Sequence, residues 1–381
     1  MSQTASISQI GPRALSRGGT LDILRFVAAL FIVIYHVAER APVSLFNLHP
    51  ALSRGYLATD FFLMLSGFVL ARTYGPRLLS QNVNTAEFLK RRMLRIWPPH
   101  LVMLALFVVF VLATSAIGLA PQNPQWFQWN QLLPQIFLMQ AWFVPGPSGW
   151  NMPTWTLSAL IVCYAGFPIA WRAVAKVRSP WATLAVGVAI FLAVDYAAKA
   201  VTGIPGHQLP LRFGLVRGIP LFILGMLIAR MPTAIAPRAA DHLAIAAGVG
   251  VVVLQALGRF DHASLALLGL LIYAAGASAP KNWGWAGLAG RLSFALFLTN
   301  QLVAVAWFGA QHAVAPKLGL GAPALWATWA LALPVCIVGA WLFDRFVDAP
   351  LQAWIKARQQ APSAPLIPTK AGNQAEPVGS C

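Results

Sequence analysis

Acidic side chains are scarce in this sequence: ten Asp and Glu stand in 381 residues, and charged residues of both signs make up only 10%. A water-soluble domain carries about a quarter, so a soluble globular fold is excluded. Cysteine is rarer still. Cys163, Cys336 and Cys381 lie far apart, which leaves neither a disulfide framework nor a cysteine metal motif. The first 20 residues lack an apolar core ending in small residues, so no removable signal peptide is expected, and the first apolar stretch reads as a retained signal-anchor helix. A polar module is missing too. Lys and Arg total 27 and the formal net charge is +17, yet no separate basic domain gathers them, and no nucleic-acid partner is expected.

What is present is apolar sequence in long runs. Hydrophobic residues make up 58% of the chain, and stretches near 21–38, 56–72, 100–118, 155–171, 181–198, 212–230, 241–257, 263–279, 291–312 and 323–344 read as spanning helices. Leu132 to Val144 is too short to cross and is bracketed by Pro121, Pro124, Pro134 and Pro145, so it reads as a re-entrant or interfacial element. The expected fold is therefore an all-α polytopic transmembrane bundle of about ten spans. It divides into an N-terminal tail over 1–20, a membrane domain over 21–350 and a C-terminal tail over 351–381, disordered from its Pro-, Ala-, Gly- and Ser-rich composition. Ten spans bring both ends to one side. The basic residues agree: nineteen fall on that side and six (Arg40, Arg54, Lys199, Arg212, Arg259 and Lys317) on the other. The positive-inside rule then places both termini in the cytoplasm and the protein in the cell's inner membrane. The loop from Gly118 to Thr154 has no Lys or Arg but holds Trp126, Trp129, Trp142 and Trp150. It reads either as an interfacial aromatic belt or as a platform for sugar faces.

Ionisable residues inside spans are costly and mark function by default. On the first helix Arg25 stands at the cytoplasmic end, and His36 follows eleven residues later, about 16 Å deeper and on the same face after three turns. An arginine at the mouth can hold an anionic group, or simply snorkel. A buried imidazole can take a proton from a hydroxyl, or serve as a structural hydrogen-bonding group. Asp60 lies near the outer end of the second helix, at the depth expected for His36, so an Asp60–His36 pair is expected; a helix-start carboxylate is the plain alternative. Arg92 and Arg95, spaced i, i+3, form one cationic patch suited to phosphates, or reflect topology alone. Arg217 sits in an apolar run and needs either a polar cavity, where it would orient or stabilise charge, or an ion pair with one of the few Asp residues. His49, His207, His242, His262 and His312 carry no assigned role.

Taken in order, several segments resemble the membrane-bound acyltransferase 3 family, which includes bacterial O-antigen and exopolysaccharide O-acetyltransferases. The first is Arg25 with His36. Next come Gly55, Asp60, Phe61, Phe62, Ser66, Gly67 and Phe68, and then Arg92, Arg95 and Pro98. Trp155, Leu157 and Ser158 follow, then Arg217 before Gly225, and finally the run Arg291 to Leu298. The resemblance spans roughly residues 20–350. It implies transfer of an acyl group, most often acetyl from acetyl-CoA, to a hydroxyl of a surface glycan or lipid-linked glycan. It assigns His36 and Asp60 to catalysis, Arg25, Arg92 and Arg95 to the CoA phosphates, and Ser66, Trp155 and Arg217 to substrate or structural support. Membrane lipid and acyl-CoA are the other expected partners, and no metal is implied. Two positions depart from the family pattern. Ala159, Leu160 and Ile161 stand where a Glu is frequent, and Thr299 and Asn300 stand where a His is common; both bear on the acceptor side. Midplane charges and a re-entrant element also fit a transporter, which should show discontinuous spans in matching halves; none is visible. A non-catalytic partner in polysaccharide assembly is the third reading.

Overall fold

A chain in hydrocarbon has no water to satisfy its N–H and C=O groups, and the apolar runs meet this need as α-helices. The computed structural model describes residues 19–119, 123–146, 149–233, 235–279, 281 and 283–360. Its helices are α1 (Thr20–Ala38), α2 (Tyr56–Leu79), α3 (Thr85–Ala116), α4 (Leu132–Ile136), α5 (Trp155–Ala175), α6 (Pro180–Thr202) and α7 (Gly214–Ile228), then α8 (Pro237–Leu257), α9 (Asp261–Ala277), α10 (Ala286–Val314), α11 (Ala322–Ala330), α12 (Ala332–Phe343) and α13 (Ala349–Gln360). No strand occurs among the described residues. Eight helical stretches among them are long and apolar enough to cross a membrane, so this is a multi-pass membrane protein. The other two expected spans are also helices. Asp261–Ala277 is apolar but only 17 residues long, and α2 carries Asp60 and Arg72 in its apolar part. The last span is broken between α11 and α12 and leads through a π-helical turn, Asp344–Asp348, into α13. Residues 351–360 of the expected tail are thus helical, and 361–381 lie outside the described residues.

Local signals set the helix ends. The Asn84 side chain accepts from the Glu87 amide at 2.8 Å to start α3, and Ser179 caps α6 ahead of Pro180. Gly258 ends α8 with a φ of +66°. A Cβ there would come within 2.3 Å of Pro50, so glycine serves both the turn and the packing. In the bundle, α1 lies against α10 and α2, α10 against α12, α2 against α7 and α9, α7 against α5 and α6, and α8 against α9.

The segment around α4 does not cross. It folds into the bundle to the middle of α3, where Trp97 donates to the Ile136 carbonyl at 2.7 Å and His100 Nε2 lies 2.8 Å from the Gln135 carbonyl. Buried Gln135 donates to the Gly149 carbonyl and buried Gln140 to Thr154. Ser158 of α5 accepts from the Ala141 amide, and Trp142 donates back to the Ser158 carbonyl. Irregular backbone survives at this depth because protein side chains, not lipid, satisfy it.

The closest helix crossing is α2 on α7. A Cβ on Gly225 would sit 1.7 Å from the Met64 carbonyl oxygen, and one on Gly67 would sit 2.0 Å from that of Phe222, so two glycines let the backbones touch. At the same interface Arg217 Nε donates to Asp60 Oδ1 at 2.7 Å, and Arg217 Nη2 donates to the Tyr56 carbonyl at 2.9 Å. Asp60 is 0% exposed and Arg217 6%. The expected Asp60–His36 pair is therefore not formed. α2 turns Asp60 toward α7, where a guanidinium offers full charge and several donors, and a buried carboxylate binds that in preference to a neutral ring.

Breaking a buried ion pair from one side leaves an uncompensated charge, at a cost of about 3–5 kcal/mol, whereas removing both charges costs much less. Arg217→Met should strongly lower the thermal stability of the detergent-solubilised protein, and Asp60→Asn combined with Arg217→Met should recover most of it. Equal losses in the single and double variants would show that the charges are not coupled.

Candidate functional site around His36

His36 lies in the last turns of α1 and is half-buried. Its Nδ1 is 2.9 Å from Asn300 Oδ1 on α10. The orientation of that amide follows from its other contacts. Asn300 Nδ2 donates to the Leu296 carbonyl at 3.0 Å and to the Phe297 carbonyl at 2.7 Å. Only an NH2 group can serve two carbonyls, so Oδ1 must face the ring and Nδ1 must carry the proton. Nε2 is then the lone-pair nitrogen, available as a base. The frame is held on both sides: Asn151 donates to the Leu298 carbonyl at 2.8 Å, and Trp329 donates to the Val37 carbonyl at 2.8 Å. Asn300, a mere departure from the family pattern in the sequence, is thus the residue that orients His36.

One turn beyond His36, Arg40 enters a cavity of about 320 Å³ also lined by Phe110, Trp126, Phe127, Val305 and His312. The Arg40 guanidinium lies 5.8 Å from the Trp126 ring centre and 5.7 Å from that of Phe308, within cation–π range. Of the four indoles in the preceding loop, Trp150 is 0% exposed and Trp142 is tied to α5. Trp126 is half-buried under Arg40, and Trp129 is exposed.

The expected cationic residues lie on two helices, Arg25 near the start of α1 and Arg92 and Arg95 on α3. Each is differently held. Arg25 pairs with Asp22 at 3.0 Å, Arg95 pairs with Asp348 at 2.8 Å and lies over Phe294, and Arg92 stacks 4.5 Å from the Tyr74 ring centre. Arg92 Nε is buried without a hydrogen-bond partner among the described residues. The i, i+3 spacing thus places two guanidinium groups on one face, and α1 adds the third.

Asp60, Arg217, Ser66 and Trp155 are not part of this arrangement. The Arg217 guanidinium lies 5.1 Å from the Trp155 ring centre, which completes the α2–α7 ion pair. Ser66 donates to the Phe62 carbonyl of its own helix at 2.8 Å. Sequence reading left His207 and His262 unassigned, but both contact Asp195. Their spacing along the chain carries no motif.

The Acyltransferase MdmB of Streptomyces mycarofaciens is 32% identical over 238 residues, covering 57% of this chain and 58% of that protein. Protein 2 in the picA locus of Rhizobium radiobacter is 41% identical over 99 residues, covering 26% of this chain and 48% of that protein. The chain thus spans about half the length of the curated relatives it matches. No solved structure matches it. The acyltransferase domain of the Acyl_transf_3 family matches residues 19–345, and with that match over most of its length the chain belongs to the acyltransferase 3 family.

Proposed function

We propose that this protein moves an acyl group, acetyl by family habit, from acyl-CoA on the cytoplasmic side to a hydroxyl of a surface or lipid-linked glycan on the other. The observation that carries the reading is the Asn300-fixed tautomer of His36, which leaves Nε2 free. Arg25, Arg92 and Arg95 support a donor site, since guanidinium groups suit phosphates and Arg92 Nε is buried without a hydrogen-bond partner among the described residues. It sits at the α1 start, on the side where the basic loop residues gather and where both termini are assigned. An extended pantetheine arm would then run along α1 and bring the thioester toward His36. The Arg40–Trp126 cavity lies beyond, on the acceptor side, where an indole face suits a sugar ring.

In the chemistry proposed, His36 Nε2 takes the proton of the acceptor hydroxyl as its oxygen bonds to the thioester carbonyl carbon. The tetrahedral intermediate collapses, the C–S bond breaks, and the imidazolium returns the proton to the departing thiolate. The products are an ester and free CoA. Asn300 orients the ring without adding a negative charge.

Complementing a deletion strain tests this. Wild type should restore ester-linked acyl groups on the surface glycan, and His36→Ala should lower transfer by about 10²–10⁴-fold, the usual scale for a general base. Full restoration by His36→Ala would rule out the catalytic assignment. In purified protein, Asn300→Ala should cut kcat with little change in the KM for acyl-CoA, because it disturbs the tautomer and not donor binding. Arg92→Ala and Arg25→Ala should raise that KM, and an unchanged KM in both would remove the donor site from this end of the bundle.

A further inference from the structure

A second polar cluster lies away from His36, at the end of the bundle where α6 finishes and α9 begins. Among the described residues, Asp195, His207 and His262 are the one group of three or more His, Cys, Asp or Glu side chains whose donor atoms all lie within 4.8 Å of each other. Asp195 Oδ1 is 2.7 Å from His207 Nδ1, and Asp195 Oδ2 is 2.9 Å from His262 Nε2. Asp195 and His207 are each 2% exposed, while the His262 side chain is 41% exposed. We propose that Asp195, His207 and His262 bind a divalent transition-metal cation of the zinc class, open to solvent on the His262 side.

Charge counting around His207 supports the site. Its other nitrogen, Nε2, lies 3.1 Å from Asp261 Oδ2, so both ring nitrogens face carboxylate oxygens. Gln208 Nε2 also lies 3.3 Å from His207 Nε2. A cation between Nδ1 and Asp195 would meet the lone pairs of both. With a metal there, Nε2–H donates to Asp261, the carboxylate–histidine–metal arrangement that fixes a ligand's tautomer. Asp261 is held in turn by the Tyr56 hydroxyl and by Gln208 Nε2, both at 2.6 Å, and by an ion pair with Arg54.

The surroundings are built to bring the ligands together. A Cβ on Gly206 would meet the Asp195 Cα at 3.1 Å, so glycine lets the turn before His207 close on α6. Tyr196 stacks on the His262 ring at 5.8 Å. Two imidazoles and one carboxylate form the donor set of three-ligand zinc sites, with the fourth position left to water. Calcium and magnesium would want oxygen donors throughout. Tetrahedral bonds of about 2.0–2.1 Å place ligand atoms about 3.3 Å apart, so the Asp195–His207 contact widens by about half an ångström. The ion would clip the loop after α6 to the start of α9.

The test uses full-length protein in detergent, purified through a tag without histidine and stripped with EDTA. Wild type should bind one Co2+ per chain with the intense absorption of a tetrahedral site, and one equivalent of Zn2+ should displace it. Zn2+ should raise the Tm of wild type. His262→Gln, at a half-exposed position, should fold normally and bind Co2+ at least about tenfold more weakly; Asp195→Asn should do the same. No saturable Co2+ signal in wild type, or an unchanged affinity in His262→Gln, would overturn the site and leave a hydrogen-bonded network only.

Discussion

Inside a bilayer each polar group must find its partner within the protein, and this chain has few partners to share. With ten carboxylates in the whole sequence, each one placed in the bundle decides what the others can do. Asp60 is taken by Arg217, Asp348 by Arg95 and Asp22 by Arg25. His36 is left to a neutral amide, Asn300. That allocation separates two jobs which a single Asp–His pair would have merged. One ion pair locks α2 to α7, and one imidazole is oriented through its Nδ1 by an amide.

The same constraint explains the segment around α4. Bringing irregular chain into the bundle requires donors and acceptors that lipid cannot offer, and Trp97, His100, Gln135, Gln140 and Ser158 supply them. In doing so the segment places Asn151 against α10, one short step from Asn300. It also delivers Trp126 to the cavity beside Arg40. A loop that reads in the sequence as an aromatic belt or a platform for sugar faces is divided by the fold: Trp142 and Trp150 hold the segment in place, Trp126 meets Arg40 and Trp129 is exposed.

Much of this could be read from the residues alone. Long uncharged runs specify helices because no other backbone form closes its own hydrogen bonds in hydrocarbon. The short, proline-bracketed piece could not span, since its length forbids it. The spacing of Arg25 and His36 fixes their relation along one helix, and the i, i+3 spacing of Arg92 and Arg95 fixes theirs, because helix geometry is local. Tertiary packing alone settled which charged group meets which. The rotation of α2 about its axis, set by the Gly67 and Gly225 contacts, turns Asp60 away from α1, and no local pattern encodes that angle. The same holds for Asn300 with His36 and for Asp195 with His207 and His262. Their separations along the chain obey no short period, because each contact is made by segments that meet only once the bundle is packed.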